Sequence, residues 1–194
     1  MKNVTLDEVM GLERYEQVRP EFRRRIIELK KNRRVHVGDQ VAFVFENHDT
    51  MHFQVQEMLR AEHIVDLDKV RDELAVYNAL IPGPNELSAT MLIEITEQSR
   101  IRDELVRLIG IDKTVWLEIG DRVRVQAEFE GGRSKEDNLS AVQYVRFRLD
   151  AAARRALADG VEPVTLVIDH PHYRHRATLS SGVRASLAQD LEAA

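Results

Sequence analysis

The residues best equipped for chemistry fall in two stretches. In the first, Gln54, Glu57 and Arg60 are interleaved with Phe53, Val55, Met58 and Leu59. A helix there cannot turn every polar group to water while both apolar sides pack, so some of the three must be half-buried and paired. Glu57 and Arg60, three apart, are placed to bridge each other; a polar cluster that grips a ligand is the other reading. The second stretch is Asp169-His170-Pro171-His172-Tyr173-Arg174-His175. Three imidazoles within six residues can coordinate a divalent metal, and His170 follows an apolar run, where a loop sets side chains over a cleft. Pro171 splits His170 from His172, and no carboxylate of defined spacing completes a ligand set. His170, His172 and His175 therefore also read as ordinary surface histidines. If the two stretches meet, Gln54, Glu57, Arg60, His170 and Tyr173 line one cleft suited to an anionic ligand or a weak metal. His48 and His52, four apart, would clamp a metal on a helix, but Asn47-His48-Asp49-Thr50 reads as a turn, which takes His48 off it.

Other chemistries drop out. The chain has no cysteine, which excludes disulfides, thiolate nucleophiles, cysteine-ligated zinc and a resident iron–sulfur cluster. It has no phosphate-binding glycine loop, no His-Glu-x-x-His and no Gly-x-Ser-x-Gly. No particular cofactor is implied. The net charge of −5 gives no nucleic-acid footprint. The basic run from Arg23 to Arg34 lacks the interleaved aromatics that stack on bases, and it reads as a solvated helix face. No apolar run approaches a membrane span. The N-terminus turns acidic at Asp7-Glu8 with no apolar core, so a signal peptide is not expected and a cytoplasmic address is.

The elements that must position these residues follow from caps and periodicity. Thr5-Leu6-Asp7-Glu8 is a capping box that predicts a short helix to about Arg14. Pro20 is expected to open a second helix, buried through Phe22, Ile26 and Leu29. Val41–Phe45 predicts a strand. Residues 50–64 alternate like a strand and also repeat like a helix; helix propensity favours the latter. Asp66 caps a helix over Leu67–Tyr77, and Ile81–Asn85 is loop. A strand runs from Leu87 to Ile95, and Thr96 caps a helix stopped by Gly110. Val115–Ile119 and a strand through Val123, Val125, Ala127 and Phe129 flank a two-residue turn at Gly120-Asp121. Gly131–Asn138 is a charged loop, Ala141–Leu149 a strand, and Asp150 caps a helix ending at Gly160. Val164–Asp169 is a buried strand, and Val183, Leu187 and Leu191 mark a last helix. No linker divides the chain, so residues 1–194 are expected to form one α+β domain, mainly antiparallel sheet with helices packed on one face.

Several blocks carry a resemblance. Phe45-Glu46-Asn47, Asp49-Thr50 and Phe53-Gln54-Val55-Gln56-Glu57-Met58-Leu59-Arg60 resemble the signature of an uncharacterised bacterial domain-of-unknown-function family. Pro20-Glu21-Phe22-Arg23, Ser88-Ala89-Thr90, Val115-Trp116-Leu117, Ser140-Ala141-Val142 and Asp169-His170-Pro171 resemble it too, so the likeness spans nearly the whole chain. Members of that family are often encoded beside rubrerythrin-like proteins and an iron–sulfur oxidoreductase. The resemblance therefore implies an accessory or ligand-binding protein of a redox or oxidative-stress system, partnered by one of those proteins, with room for a homo-oligomer. It supplies no catalytic residues. The alternative is a small His/carboxylate-centred enzyme, with or without a metal.

Overall fold

In a computed structural model of the protein, which describes residues 1–131 and 139–192, the strands pair into two antiparallel sheets. One is ordered β1 (Arg34–Val37), β2 (Val41–Phe45), β3 (Glu86–Ile93), β7 (Val142–Arg148) and β6 (Glu128–Phe129). The other is ordered β5 (Val123–Gln126), β4 (Val115–Ile119), β8 (Val164–His170) and β9 (Tyr173–Thr178). Because successive side chains point to opposite faces, Phe43, Met91 and Val145 turn inward from the first sheet to meet Leu117, Leu166 and Ile168 of the second in the main core. Val44, Thr90 and Tyr144, aligned across β2, β3 and β7, take the opposite face. There Tyr144 packs on a second core, formed by Met51, Val55 and Leu59 of α2 (His48–Ala61) with Val70 and Leu74 of α3 (Leu67–Asn78). The expected class therefore holds. Helices α2 and α3 lie on one face of the first antiparallel sheet, and the second sheet covers the other.

Local chemistry explains most of the elements. Asp66 accepts from the amides of Asp68 and Lys69 and starts α3. Asp150 accepts from the Ala153 amide and starts α5 (Ala151–Asp159), which Gly160 stops in the left-handed region. Ala153 and Leu157, with Val183 and Leu187 of α6 (Ser181–Glu192), join the main core. Leu108, after α4 (Ile101–Arg107), enters the same core.

Several expectations are corrected. The capping box at Thr5 and Glu8 is present, but it starts only a 3-10 turn over Leu6–Glu8. Pro20 opens nothing: α1 runs unbroken from Leu12 to Lys31. Pro20 and Glu16 are both exposed, so the carbonyl left without its donor turns to water rather than into the core. Arg33 is not on a solvated face but buried, and Arg34 begins β1, a short strand masked by its charged residues. Thr96 is not a cap; a 3-10 turn at Gln98–Arg100 leads into α4. The turn after β4 has three residues, since Ile119 pairs with Val123. The following strand changes sheets at Ala127: β5 pairs with β4, and β6 pairs with β7. The segment after His170 forms β9, turned at Pro171-His172. Of the charged loop expected over Gly131–Asn138, residues 132–138 lie outside the described residues.

Arg33 ties three parts of the chain together. Its Nε donates to the Phe45 carbonyl at 2.7 Å, one terminal nitrogen donates to Ser186 Oγ at 2.9 Å, and the other donates to the Glu46 carbonyl at 3.1 Å and pairs with Asp190.

Candidate functional site

Glu57 and Arg60 project from α2 toward α1. Glu57 is held mainly by its partners on α1. Arg19 grips both carboxylate oxygens, Nε to Oε1 at 2.7 Å and the terminal nitrogen to Oε2 at 2.9 Å, and the Tyr15 hydroxyl donates to Oε1 at 2.7 Å. This fork is the strong, geometry-specific form of ion pair. The Arg19 hydrogen bonds pull the Glu57 carboxyl down to about 2, against the opposing effect of its burial. Burial, reinforced by Glu57, pushes the Tyr15 phenol up. Arg60 stands 3.7 Å from Glu57 and 3.4 Å from Glu16. Gln54 is half-buried on the same helix. The neighbouring Gln56 is fully buried and both accepts from and donates to the backbone of Met10, at 2.6 and 3.2 Å.

The second stretch makes a different set of contacts. His170 is buried, and both its ring nitrogens are engaged: Nε2 with the Ile109 carbonyl at 3.1 Å, and Nδ1 with the His172 amide at 3.3 Å. Tyr173 donates to the Val37 carbonyl at 2.7 Å and accepts from the Gln40 amide at 2.9 Å, fastening β9 to the turn between β1 and β2. His172 and His175 are exposed. The first sheet stands between α2 and the β8–β9 hairpin. Among the described residues no hydrogen bond or ion pair joins Gln54, Glu57 or Arg60 to His170 or Tyr173. The structure brings Glu57 and Arg60 together, and separately anchors His170 and Tyr173.

The N-terminal segment holds the cluster that sequence reasoning passed over. Asn47 caps α2, accepting from the Thr50 amide at 3.0 Å while Thr50 Oγ1 accepts from the Asn47 amide at 2.9 Å. The helix therefore begins at His48, and His48 and His52 share a face one turn apart. Glu8 Oε1 lies 3.2 Å from His48 Nε2, Asp49 Oδ1 lies 3.2 Å from His48 Nδ1, and His52 Nε2 lies 2.9 Å from the Glu8 carbonyl. The hydrogen bonds of the Thr5 backbone and side chain hold the Glu8 carboxyl down at about 2, while burial pushes the His52 imidazole below its ordinary value. The spacing of His48 and His52 was the signal available beforehand. Glu8, forty residues upstream, gave none; nor did Tyr15 and Arg19 announce themselves as the partners of Glu57.

Taken together, these features define an α+β, two-sheet protein whose polar side chains mostly answer one another. No helix among the described residues is long and apolar enough to cross a membrane. The model of a family described as "Protein of unknown function (DUF3501)" matches residues 3–191, and the chain belongs to that family. It is similar to a crystal structure from Burkholderia pseudomallei K96243, itself described as a protein of unknown function. The two are 36% identical, the match covers 98% of this chain and 100% of that one, and the TM-score is 0.92. No curated protein matches the chain.

Proposed function

We propose that the protein is a binding or accessory component of a bacterial redox or oxidative-stress system, without turnover of its own. One observation carries the non-catalytic part. Glu57, Tyr15, His170 and Tyr173, the groups most able to act on a substrate, are engaged by partners in the same chain. A general base or nucleophile needs a free lone pair in reach of substrate. The redox part rests on the family resemblance, and with no cysteine the chain must rely on a partner for iron–sulfur chemistry. The reading places it in the cytoplasm.

The test is a calorimetric titration of the purified protein against a purified rubrerythrin-like protein and an iron–sulfur oxidoreductase from the same genome. Saturable binding to one of them, with no peroxide consumption by the chain alone, is expected. Turnover by the isolated chain, or no heat with either partner, refutes it. A second reading, a small metal-dependent enzyme, draws on the imidazole of His48 between two carboxylates; it requires turnover that depends on added metal.

A further inference from the structure

We propose that Glu8, His48 and His52 form a binding site for one divalent transition-metal ion, with Asp49 orienting His48 from behind. The inference stands apart from the accessory reading. An ion here would clamp the N-terminal segment onto α2 and needs no redox partner, so its failure leaves that reading untouched.

The argument starts from an imidazole nitrogen with nothing to do. His48 Nε2 is buried and among the described residues meets no hydrogen-bond geometry, although Glu8 Oε1 is 3.2 Å away. That separation is the one two ligands of the same ion adopt. With metal–nitrogen and metal–oxygen bonds of about 2.0–2.2 Å, neighbouring donors on a tetrahedral or octahedral ion sit about 2.9–3.4 Å apart. Glu8 divides its labour to match. Its Oε2 takes the Thr5 amide at 2.8 Å and the Thr5 hydroxyl at 2.9 Å, leaving Oε1 turned to His48. On the far side of the ring, Asp49 Oδ1 stands 3.2 Å from Nδ1. A carboxylate there holds the proton on Nδ1 and leaves the Nε2 lone pair for a metal, the usual support of a metal-bound histidine.

His52 supplies the third donor. Its ring centroid is 6.1 Å from that of His48, on the same face of α2. It now spends Nε2 on the Glu8 carbonyl at 2.9 Å and packs against the Phe22 ring, so binding requires that hydrogen bond to be exchanged for the metal. Among the described residues no three such side chains already converge on one point, so the ion itself would draw His52 in. Lys2, whose ammonium lies 3.7 Å from Glu8 Oε1, is the competing cation; it is mostly exposed and swings away without loss of packing. The mixed imidazole and carboxylate set suits Zn²⁺, Co²⁺ or Fe²⁺ rather than Ca²⁺ or Mg²⁺.

The test uses untagged full-length protein stripped with a chelator, titrated with Co²⁺ and followed by its visible absorption, with Zn²⁺ as competitor. One ion per chain is expected. His48→Ala and His52→Ala should each weaken binding at least about tenfold, by analogy with losses at metal-supporting positions. A His172→Ala/His175→Ala double variant should bind as the wild type does. Saturating Zn²⁺ should raise the melting temperature of the wild type and not of the His48 or His52 variants. Glu8→Gln, which leaves α2 unaltered and keeps a side-chain oxygen for the Thr5 cap, should also weaken binding, and it carries the test if a histidine variant fails to fold. Absence of saturable binding overturns the proposal. So does full binding by Glu8→Gln, or by the His48 and His52 variants. Loss of binding in the His172/His175 variant instead would move the site elsewhere and overturn it too.

Discussion

Replacing Glu57 by Ala tests whether the α1–α2 contact is held by a polar lock. Tyr15 is fully buried and its hydroxyl donates to Glu57. Removing the acceptor leaves that hydroxyl without a partner, a penalty of about 1–3 kcal/mol. At about 2 kcal/mol, a chain of this size should lose roughly 4–8 °C in melting temperature. A second change isolates the cause. Tyr15→Phe in the Glu57→Ala background removes the orphaned donor, so the double variant should be more stable than Glu57→Ala alone, a signature that additive packing losses would not give. The pH dependence adds an independent check. The Glu57 carboxyl is depressed in the folded protein to about 2, so its contribution is fully present above the unfolded value near 4.5 and fades as pH falls toward about 2. Water reaches part of the carboxylate, so the fade is shallower than the shift alone implies. Urea unfolding of wild type and Glu57→Ala between pH 7 and pH 3 should show a gap that narrows only below about pH 5. A gap constant across that range, or a double variant less stable than the single one, refutes the lock.

Three further outcomes follow from the same structure. Gly38→Ala should destabilise by about 2–4 kcal/mol in chemical denaturation, because Gly38 has φ +77° and a Cβ there would lie 2.3 Å from the Tyr173 hydroxyl and 2.7 Å from the His175 ring; a loss under 1 kcal/mol would show that the β9 hairpin yields. Asp190→Ala should cost about 3–5 kcal/mol by stranding the buried Arg33, and an Arg33→Met/Asp190→Leu pair should regain much of it; equal losses in single and paired variants would contradict this. Unfolding should be a single cooperative transition, since β2 and β3 pair across the α2–α3 excursion, and a stable proteolytic fragment ending near residue 85 would refute it.

How much was legible depended on distance along the chain. Helix ends at Asp66, Asp150 and Gly160 were readable because a cap is chemistry between near neighbours. The helix over residues 50–64 was readable from propensity, but its start was displaced because Asn47 and Asp49 are both good caps, and only the Asn47–Thr50 pairing settles which one acts. That displacement hid the shared face of His48 and His52. Strand alternation showed which residues are inside but not which sheet they join. Val123 to Phe129 reads as one strand because every second side chain does point inward, and the crossing at Ala127 leaves that pattern intact. The partners of Glu57 were out of reach of any local rule, since Arg19 lies 38 residues away and Tyr15 lies 42.

The position of Arg33 also bears on when the molecule becomes finished. Its partner Asp190 is 157 residues further on, so joining them closes a loop whose entropic penalty grows as the logarithm of that length, about 4–5 kcal/mol. Neither residue repays this alone. The closure has to be financed by the contacts α6 makes on a core that already exists. Docking of α6 therefore belongs at the end of the folding route, after the end of β2 and the residue that follows it have presented the carbonyls of Phe45 and Glu46. In a refolding time course, amides at the start of α2 should gain protection together with those of α6, later than those of the β3–β7 pair. The guanidinium acts as a latch, thrown last.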